Sequence, residues 1–432
     1  MKKVILMLNM LVFAVSANAV EIQKLDTKVA RSGLYVQQTE IPTVNILLTF
    51  KAGTIFENGY NHGTANLVAN LLTAGTETKS AQQIQQSLEK LASNIAVYSS
   101  RDDIKVELTA LADNVEPTLQ ILQEILTSSS FPDREVKILK SSVLQAIRQQ
   151  QESPGFLAMY TARKEFYGED NVKAYVSNLG TEKSIATITK QDLQSYFKNY
   201  ITKENMTVSV VSSLDKQTME VLLDKYLLPM HSGSAKELIE PIPVTQTNWA
   251  RVEKDLPQTT VLLYTKGVSR VSPEYYTSVV FNYILGGGGF SSRLMEEIRE
   301  KRGLTYGVRS AYEYDLPYPA LFTVTLQTSN KQAYKVENLI RKELDKIGAK
   351  GVTQEELQSA KNFLVGSFPI RLRTSDKLLS YLDIMQKFDL PLDYLNTWTE
   401  KVGEVTLEQV NEYAGTFADD EVSFARVFVG RM

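Results

Sequence analysis

Gly63-Thr64-Ala65-Asn66-Leu67-Val68-Ala69-Asn70-Leu71-Leu72, closed by Ala74-Gly75-Thr76, has a counterpart in Tyr275 to Leu285, which runs into Gly286-Gly287-Gly288-Gly289. Both stretches are apolar helices that end at glycine. Each is followed by a charged helix, two strands and a further long helix. Val106 to Leu111 and Leu321 to Leu326 alternate as strands should, and Val115 to Leu126 and Val336 to Ile347 have helical spacing. Late in each half a Thr N-cap opens a helix: Thr189-Lys190-Gln191-Asp192-Leu193-Gln194-Ser195-Tyr196 parallels Thr406-Leu407-Glu408-Gln409-Val410-Asn411-Glu412-Tyr413. A last apolar strand follows, Thr207 to Val211 in one half and Val422 to Val429 in the other. Order and spacing repeat at an offset of about 215 residues, which predicts two homologous α+β domains, each with a sheet backed by helices. They are expected at 20–230 and 248–432. A linker at 231–247 is marked by Gly233, Pro241 and Pro243 among polar residues.

Ahead of the first domain lies a segment with the pattern of an export signal. Lys2-Lys3 precede an apolar core from Val4 to Val15, and Ala17-Asn18-Ala19 supplies a small-residue cleavage site, so 1–19 is expected to be removed. The apolar run is too short to span a bilayer, and no later stretch is long and apolar enough to do so. The expected location is outside the cytoplasm, most simply the periplasm. Absence of cysteine suits a large exported domain that folds without disulfides. With 43% hydrophobic and 22% charged residues the chain has an ordinary globular composition. Net charge is −3, and loss of Lys2 and Lys3 takes it to −5, so nothing favours nucleic acid as a partner. His62 and His231 are the only histidines, one expected in a solvated turn and the other in the linker, and neither has convergent ligands.

The stretch from Phe50-Lys51-Ala52-Gly53-Thr54-Ile55-Phe56-Glu57-Asn58-Gly59 through Leu72 resembles the pitrilysin/insulinase peptidases. So do Glu165-Phe166-Tyr167-Gly168 and Gly180-Thr181. In the second half the resemblance rests on Asp255-Leu256-Pro257-Gln258 and on the block from Leu285 through Phe290-Ser291-Ser292-Arg293-Leu294 to Ile298-Arg299-Glu300-Lys301-Arg302-Gly303-Leu304-Thr305-Tyr306. It covers essentially all of the chain after the export signal. One departure lies at Asn171 to Tyr175, where the family usually has His-Pro-Tyr. The fold this implies is a half-clamshell of two α+β domains, as in mitochondrial processing peptidase.

In that family the first helix reads H-x-x-E-H, binding zinc and activating its water. Here Asn66 and Asn70 stand at the two His positions, Ala69 at the Glu, and Ala146, within about a residue, at the third ligand. Neutral amides are poor zinc ligands, so this chain is expected to bind no cofactor and to be no peptidase alone. Arg299 and Tyr306 are intact. In active relatives such a pair holds the substrate carbonyl and stabilises the oxyanion. The Gly286 to Gly289 run lacks the Lys-Ser/Thr of a phosphate loop. It ends a helix rather than opening one, leaving a peptide-contacting loop or a simple helix cap as its readings.

The resemblance therefore implies a non-catalytic subunit of a heterodimeric zinc peptidase. Its partner would be a homologous zinc-bearing chain, and Arg299 and Tyr306 would act on short or unfolded peptide at the partner's site. A homodimer that binds peptide or serves as a scaffold without proteolysis is the alternative. An enzyme using another site has no supporting constellation, with two histidines and no cysteine.

Overall fold

The computed structural model describes residues 20–168, 177–237, 249–314, 321–418 and 424–431. The export segment, Asn171 to Tyr175, most of the 231–247 linker and Val422 lie outside the described residues. Two sheets carry the chain. The first uses β1 (Ile22–Lys24), β2 (Ser32–Gln37), β3 (Thr43–Phe50), β4 (Asn94–Ser99), β5 (Ile104–Leu111) and β6 (Met206–Ser212), in the order β1-β2-β6-β3-β5-β4. The second uses β7 (Ala250–Glu253), β8 (Gln258–Lys266), β9 (Val308–Tyr312), β10 (Leu321–Ser329) and β11 (Ala425–Gly430), in the order β7-β11-β8-β10-β9. In each, one parallel pair (β2 with β6, β7 with β11) is followed by antiparallel pairings. The repeat seen in the sequence is thus a repeat of strand order, with β4 and β9 as equivalent edges.

The helices of the first half are α1 (Thr64–Leu71), α2 (Ala81–Lys90), α3 (Val115–Ser128), α4 (Asp133–Glu152) and α5 (Pro154–Tyr167), followed by Glu182–Thr187, Lys190–Tyr200 and Lys216–Leu227. Thr189 and Thr406 each close a capping box, with Asp192 and Gln409 respectively, so both Thr caps do what their spacing predicts. The second apolar helix is α-helical only over Tyr275–Asn282 and widens into π-helical turns over Tyr283–Gly287.

Strand alternation gives each sheet two apolar faces. In the first, Ile46, Leu48, Val208 and Val210 join the core under that half's own helices. On the reverse face Leu34, Val36, Leu47 and Val211 join a core that belongs to the second half, packing with Leu378, Leu379, Leu382 and Met385 of the Ser375–Lys387 helix. The exchange is mutual. Helix α5 leaves the first half and lays Ala158, Ala162, Phe166 and Tyr167 on Leu262, Tyr264, Val427 and Val429 of the second sheet. Each half therefore lends the other one helix.

Charged pairs pin the crossing helix where it meets the β4–β5 hairpin. Lys105 Nζ lies 2.6 Å from Asp383 Oδ2, and Lys387 Nζ lies 2.6 Å from Asp102 Oδ2. Gln386 Nε2 donates to Val208 O at 3.1 Å and to Ser209 Oγ at 2.9 Å. Burial alone would raise the Asp102 carboxyl, but the Arg101 and Lys387 charges and their hydrogen bonds hold it below its ordinary value.

Two outcomes test this interface. Leu382, fully buried between the halves, should cost about 2–5 kcal/mol when replaced by Ala, read by urea unfolding. Asp102, with its folded pKa below the ordinary 3.8, contributes stability that is complete above that value and is lost as pH falls further. Asp102→Asn should therefore be less stable at neutral pH and show a flatter loss of stability below about pH 4.

Candidate functional site

Helix α1 begins where the chain turns sharply through Gly63, at φ 98°, and its N-terminus is held by one buried carboxylate. Glu57 Oε1 accepts from the backbone N–H of Gly63 at 3.0 Å and of Ala65 at 2.8 Å, satisfying orphan donors of the first turn. Its Oε2 lies 2.8 Å from His62 Nδ1. This corrects the expectation of a solvated His62: the ring is only 8% exposed. The reason is tertiary. A Cβ on Gly180 would come within 2.3 Å of His62 O, and one on Gly63 within 2.7 Å of Leu179 O, so two glycine turns let the Leu179–Gly180 segment pack directly on the His62–Gly63 backbone. His231 is likewise not merely solvated, since its ring meets Phe197 edge-on at 5.6 Å and its carbonyl accepts from Lys203 N.

Along α1 the degenerate positions fall as their spacing requires, with different fates. Asn66 is 6% exposed; its Nδ2 donates to Ser99 Oγ on β4 at 3.2 Å, and its Oδ1 is buried without a hydrogen-bond partner. Ala69 is fully buried in the core. Asn70 is exposed and folds back to donate to Asn66 O at 2.9 Å. Ala146 is half-buried on α4, which packs against α1. Zinc would find only two neutral amides and no donor from either alanine, so these residues do not fit it. Among the described residues no cluster of three or more His, Cys, Asp or Glu could hold a metal.

The second-half block is built more rigidly. Gly303, at φ 62°, turns the chain out of the π-helical Met295–Glu300 segment, donating its N–H to Arg299 O at 2.8 Å. Thr305 Oγ1 donates to Gln327 O at 2.7 Å, and Thr328 Oγ1 to Leu304 O at 2.6 Å. Tyr306 is thus held on a pinned backbone, yet its side chain is 91% exposed. It borders an open groove of about 840 Å³ shared with Gly286, Gly287, Gly289 and Gly155 of the crossing helix α5. Arg299 does not line that groove. Its guanidinium lies 4.4 Å over the ring of Phe290, itself 68% exposed, and its Nη1 is 3.3 Å from Glu300 Oε1 without an aligned hydrogen bond. The structure brings Tyr306 and the glycine loop together on one groove and stacks Arg299 on Phe290, outside its lining.

Close packing explains most of the glycine run. A Cβ would meet Ser310 N at 2.6 Å from Gly286, Asn282 Nδ2 at 2.6 Å from Gly287, and Tyr283 O at 2.6 Å from Gly288. Gly288 is also the C-cap of the π-helical turn, donating its N–H to Tyr283 O. Arg293, unremarkable in the sequence, anchors the loop: Nε and Nη2 grip Glu356 at 2.6 and 2.7 Å, and Nη2 also donates to Gly351 O at 3.1 Å. Only its place inside the family-like block Ser291 to Leu294 could have drawn attention to it.

Comparison with known proteins agrees with this arrangement. The family model described as insulinase (peptidase family M16) matches residues 34–176, and that described as peptidase M16 inactive domain matches residues 187–364. The chain is 27% identical over 403 residues to a non-peptidase homolog, YmxG, of Helicobacter pylori, covering 91% of both chains. It is 24% identical over 405 residues to an uncharacterized zinc protease, YmxG, of Bacillus subtilis, covering 92% of this chain and 96% of the other. A crystal structure of a peptidase M16 inactive domain from Pseudomonas fluorescens superposes with TM-score 0.89 at 28% identity, covering 95% of this chain and 98% of that one. The periplasmic protease PqqL of Escherichia coli shares the fold at TM-score 0.76 and 17% identity, over 94% of this chain and 44% of its own.

Glu57→Gln tests the support of the first site. The amide keeps the shape but loses a charged acceptor of two backbone donors and of His62, so stability should fall by about 1–3 kcal/mol in denaturant unfolding.

Proposed function

The chain belongs to the peptidase M16 (insulinase) family as a catalytically silent member, and from that premise we propose that it is the non-catalytic subunit of a heterodimeric zinc peptidase. The partner is a homologous chain that carries H-x-x-E-H and holds the zinc; this chain binds none. The substrate is a short or unfolded peptide, and the pair works in the periplasm after export through the signal at 1–19. One observation carries the reading. Tyr306 is 91% exposed on a backbone fixed from both sides, at the rim of an open groove. An aromatic side chain held out of its own protein without packing is what a residue completing a site on another chain looks like. Phe290, also exposed, carries Arg299 on its ring.

In this reading the Tyr306 hydroxyl donates to the substrate carbonyl oxygen as charge develops on it. Arg299, delivered past Phe290, supplies the second fixed donor. No helix among the described residues is long and apolar enough to cross a membrane. The second reading is a homodimer that binds peptide or organises a complex without cleaving it. The H. pylori relative, described as a non-peptidase homolog, favours that alternative.

Co-purification with the tagged chain, followed by zinc analysis and a quenched-peptide assay, separates the two. A zinc-bearing partner with peptidase activity absent from this chain alone supports the first reading. A metal-free, inactive homodimer supports the second. In the reconstituted pair, Arg299→Ala should lower turnover by about 10²–10³, the cost of a lost oxyanion donor. Tyr306→Phe should lower kcat more than it changes KM, and should shift stability by no more than about 0.5 kcal/mol because the side chain packs on little. Unchanged turnover in both variants overturns the role.

A further inference from the structure

Strand β4 is the edge of the first sheet and ends beside α1. Its outward-facing backbone groups follow from the hairpin that joins it to β5. Ser100 N donates to Asp103 O at 2.7 Å, which makes Ser100 and Asp103 the hydrogen-bonded pair that closes the turn. The register then runs Ser99 opposite Ile104, Val97 opposite Val106 and Ile95 opposite Leu108. Because hydrogen-bonded and non-hydrogen-bonded pairs alternate in an antiparallel ladder, Ile95, Val97 and Ser99 turn their N–H and C=O away from β5. These groups are what an added strand would pair with.

At Ser99, the position nearest the degenerate helix, the acceptor is already taken. Asn178 Nδ2 donates to Ser99 O at 2.9 Å and to Ser99 Oγ at 3.1 Å. Asn66 Nδ2 donates to the same Oγ at 3.2 Å. Asn178 is held firmly for this. Ser177 Oγ accepts from Leu179 N at 3.2 Å, and the Gly180 backbone presses on His62 O so closely that no Cβ fits between them. The side-chain amide of Asn178 thus stands in for the first N–H of an incoming strand.

We infer that Asn178 is a plug on this chain's own sheet edge, positioned to stop a peptide from adding to β4 across the degenerate site. Among the described residues none bonds the outward groups of Ile95 and Val97, but two ladder positions without Ser99 are a poor foothold. The plug deepens the proposed function, on which it rests. If cleavage happens at a partner's metal, an open strand edge beside a dead helix would sequester substrate, and closing it steers peptide to the working half. Protecting an edge with a local polar cap is also a general defence against unwanted strand pairing.

The test uses the purified chain alone and a fluorescein-labelled ten-residue peptide alternating Val with Thr or Lys, followed by anisotropy. Asn178→Ala should bind it about 3- to 10-fold more tightly than the wild type, since one hydrogen bond no longer has to be displaced. Asn178→Asp keeps the shape, cannot donate to Ser99 O, and should show the same gain. Adding Val97→Pro to either variant should abolish the gain. Proline removes an outward N–H, costs no bond to β5, and is tolerated on edges. A purely structural Asn178 would lower stability and leave affinity unchanged or weaker. Unchanged affinity in both Asn178 variants, or a gain that survives Val97→Pro, overturns the inference. This measurement needs no partner and no catalysis, so it can fail while the Arg299 and Tyr306 results stand, or hold while they fail.

Discussion

The mutual loan of helices is the constraint on which the rest of the molecule depends. Each sheet has two apolar faces and its own half covers only one of them. Left alone, either half would expose a patch of Val, Leu and Tyr side chains large enough to aggregate. Helix α5 and the Ser375–Lys387 helix cross over to cover these faces, so neither half is complete without the other. Hydrophobic burial supplies the affinity, and the Lys105–Asp383 and Lys387–Asp102 pairs set the register of the crossing helix. The same crossing puts Gly155 on the rim of the second-half groove, so even the candidate site draws on both halves.

At the first-half positions that resemble the family's zinc ligands, amide and hydroxyl groups bind one another: Asn70 to Asn66, Asn66 to Ser99, Ser99 to Asn178. Side-chain amides both donate and accept, so such a chain can close on itself where charged ligands would need a cation. Ala69 buries a methyl where the family's active members keep a base. One buried acceptor, Asn66 Oδ1, is left without a partner. The second half has kept its exposed aromatic and its pinned turn. The two halves therefore differ on a common strand order, the first closing on itself through amides and the second presenting an exposed aromatic.

Much of this was legible before any coordinates. The repeat, the Thr caps, the strand periods and the substitutions at Asn66, Ala69 and Asn70 are local patterns, and local patterns survive in a string of letters. Capping boxes involve residues three apart, and strand faces depend on a period of two. The degenerate site was readable for the same reason, since helix geometry alone puts positions 66 and 70 on one face. A solvated turn was expected at His62 because neither its pairing with Glu57 nor the packing of Leu179 and Gly180, more than a hundred positions away, on its backbone is a periodic pattern. Arg293 and Asn178 were missed because their partners, Glu356 and Ser99, are likewise distant in the chain.

By itself the sequence determined the class of fold, its duplication and the residues that stand at the family's ligand positions, because each depends on residue type and short-range spacing. Tertiary structure alone decided which helix covers which sheet, that Tyr306 is exposed while Arg299 stacks on Phe290, and that Asn178 bonds the Ser99 carbonyl on β4. Those outcomes turn on long-range packing and on which backbone groups an antiparallel register turns outward. Neither is encoded in any window of neighbouring residues.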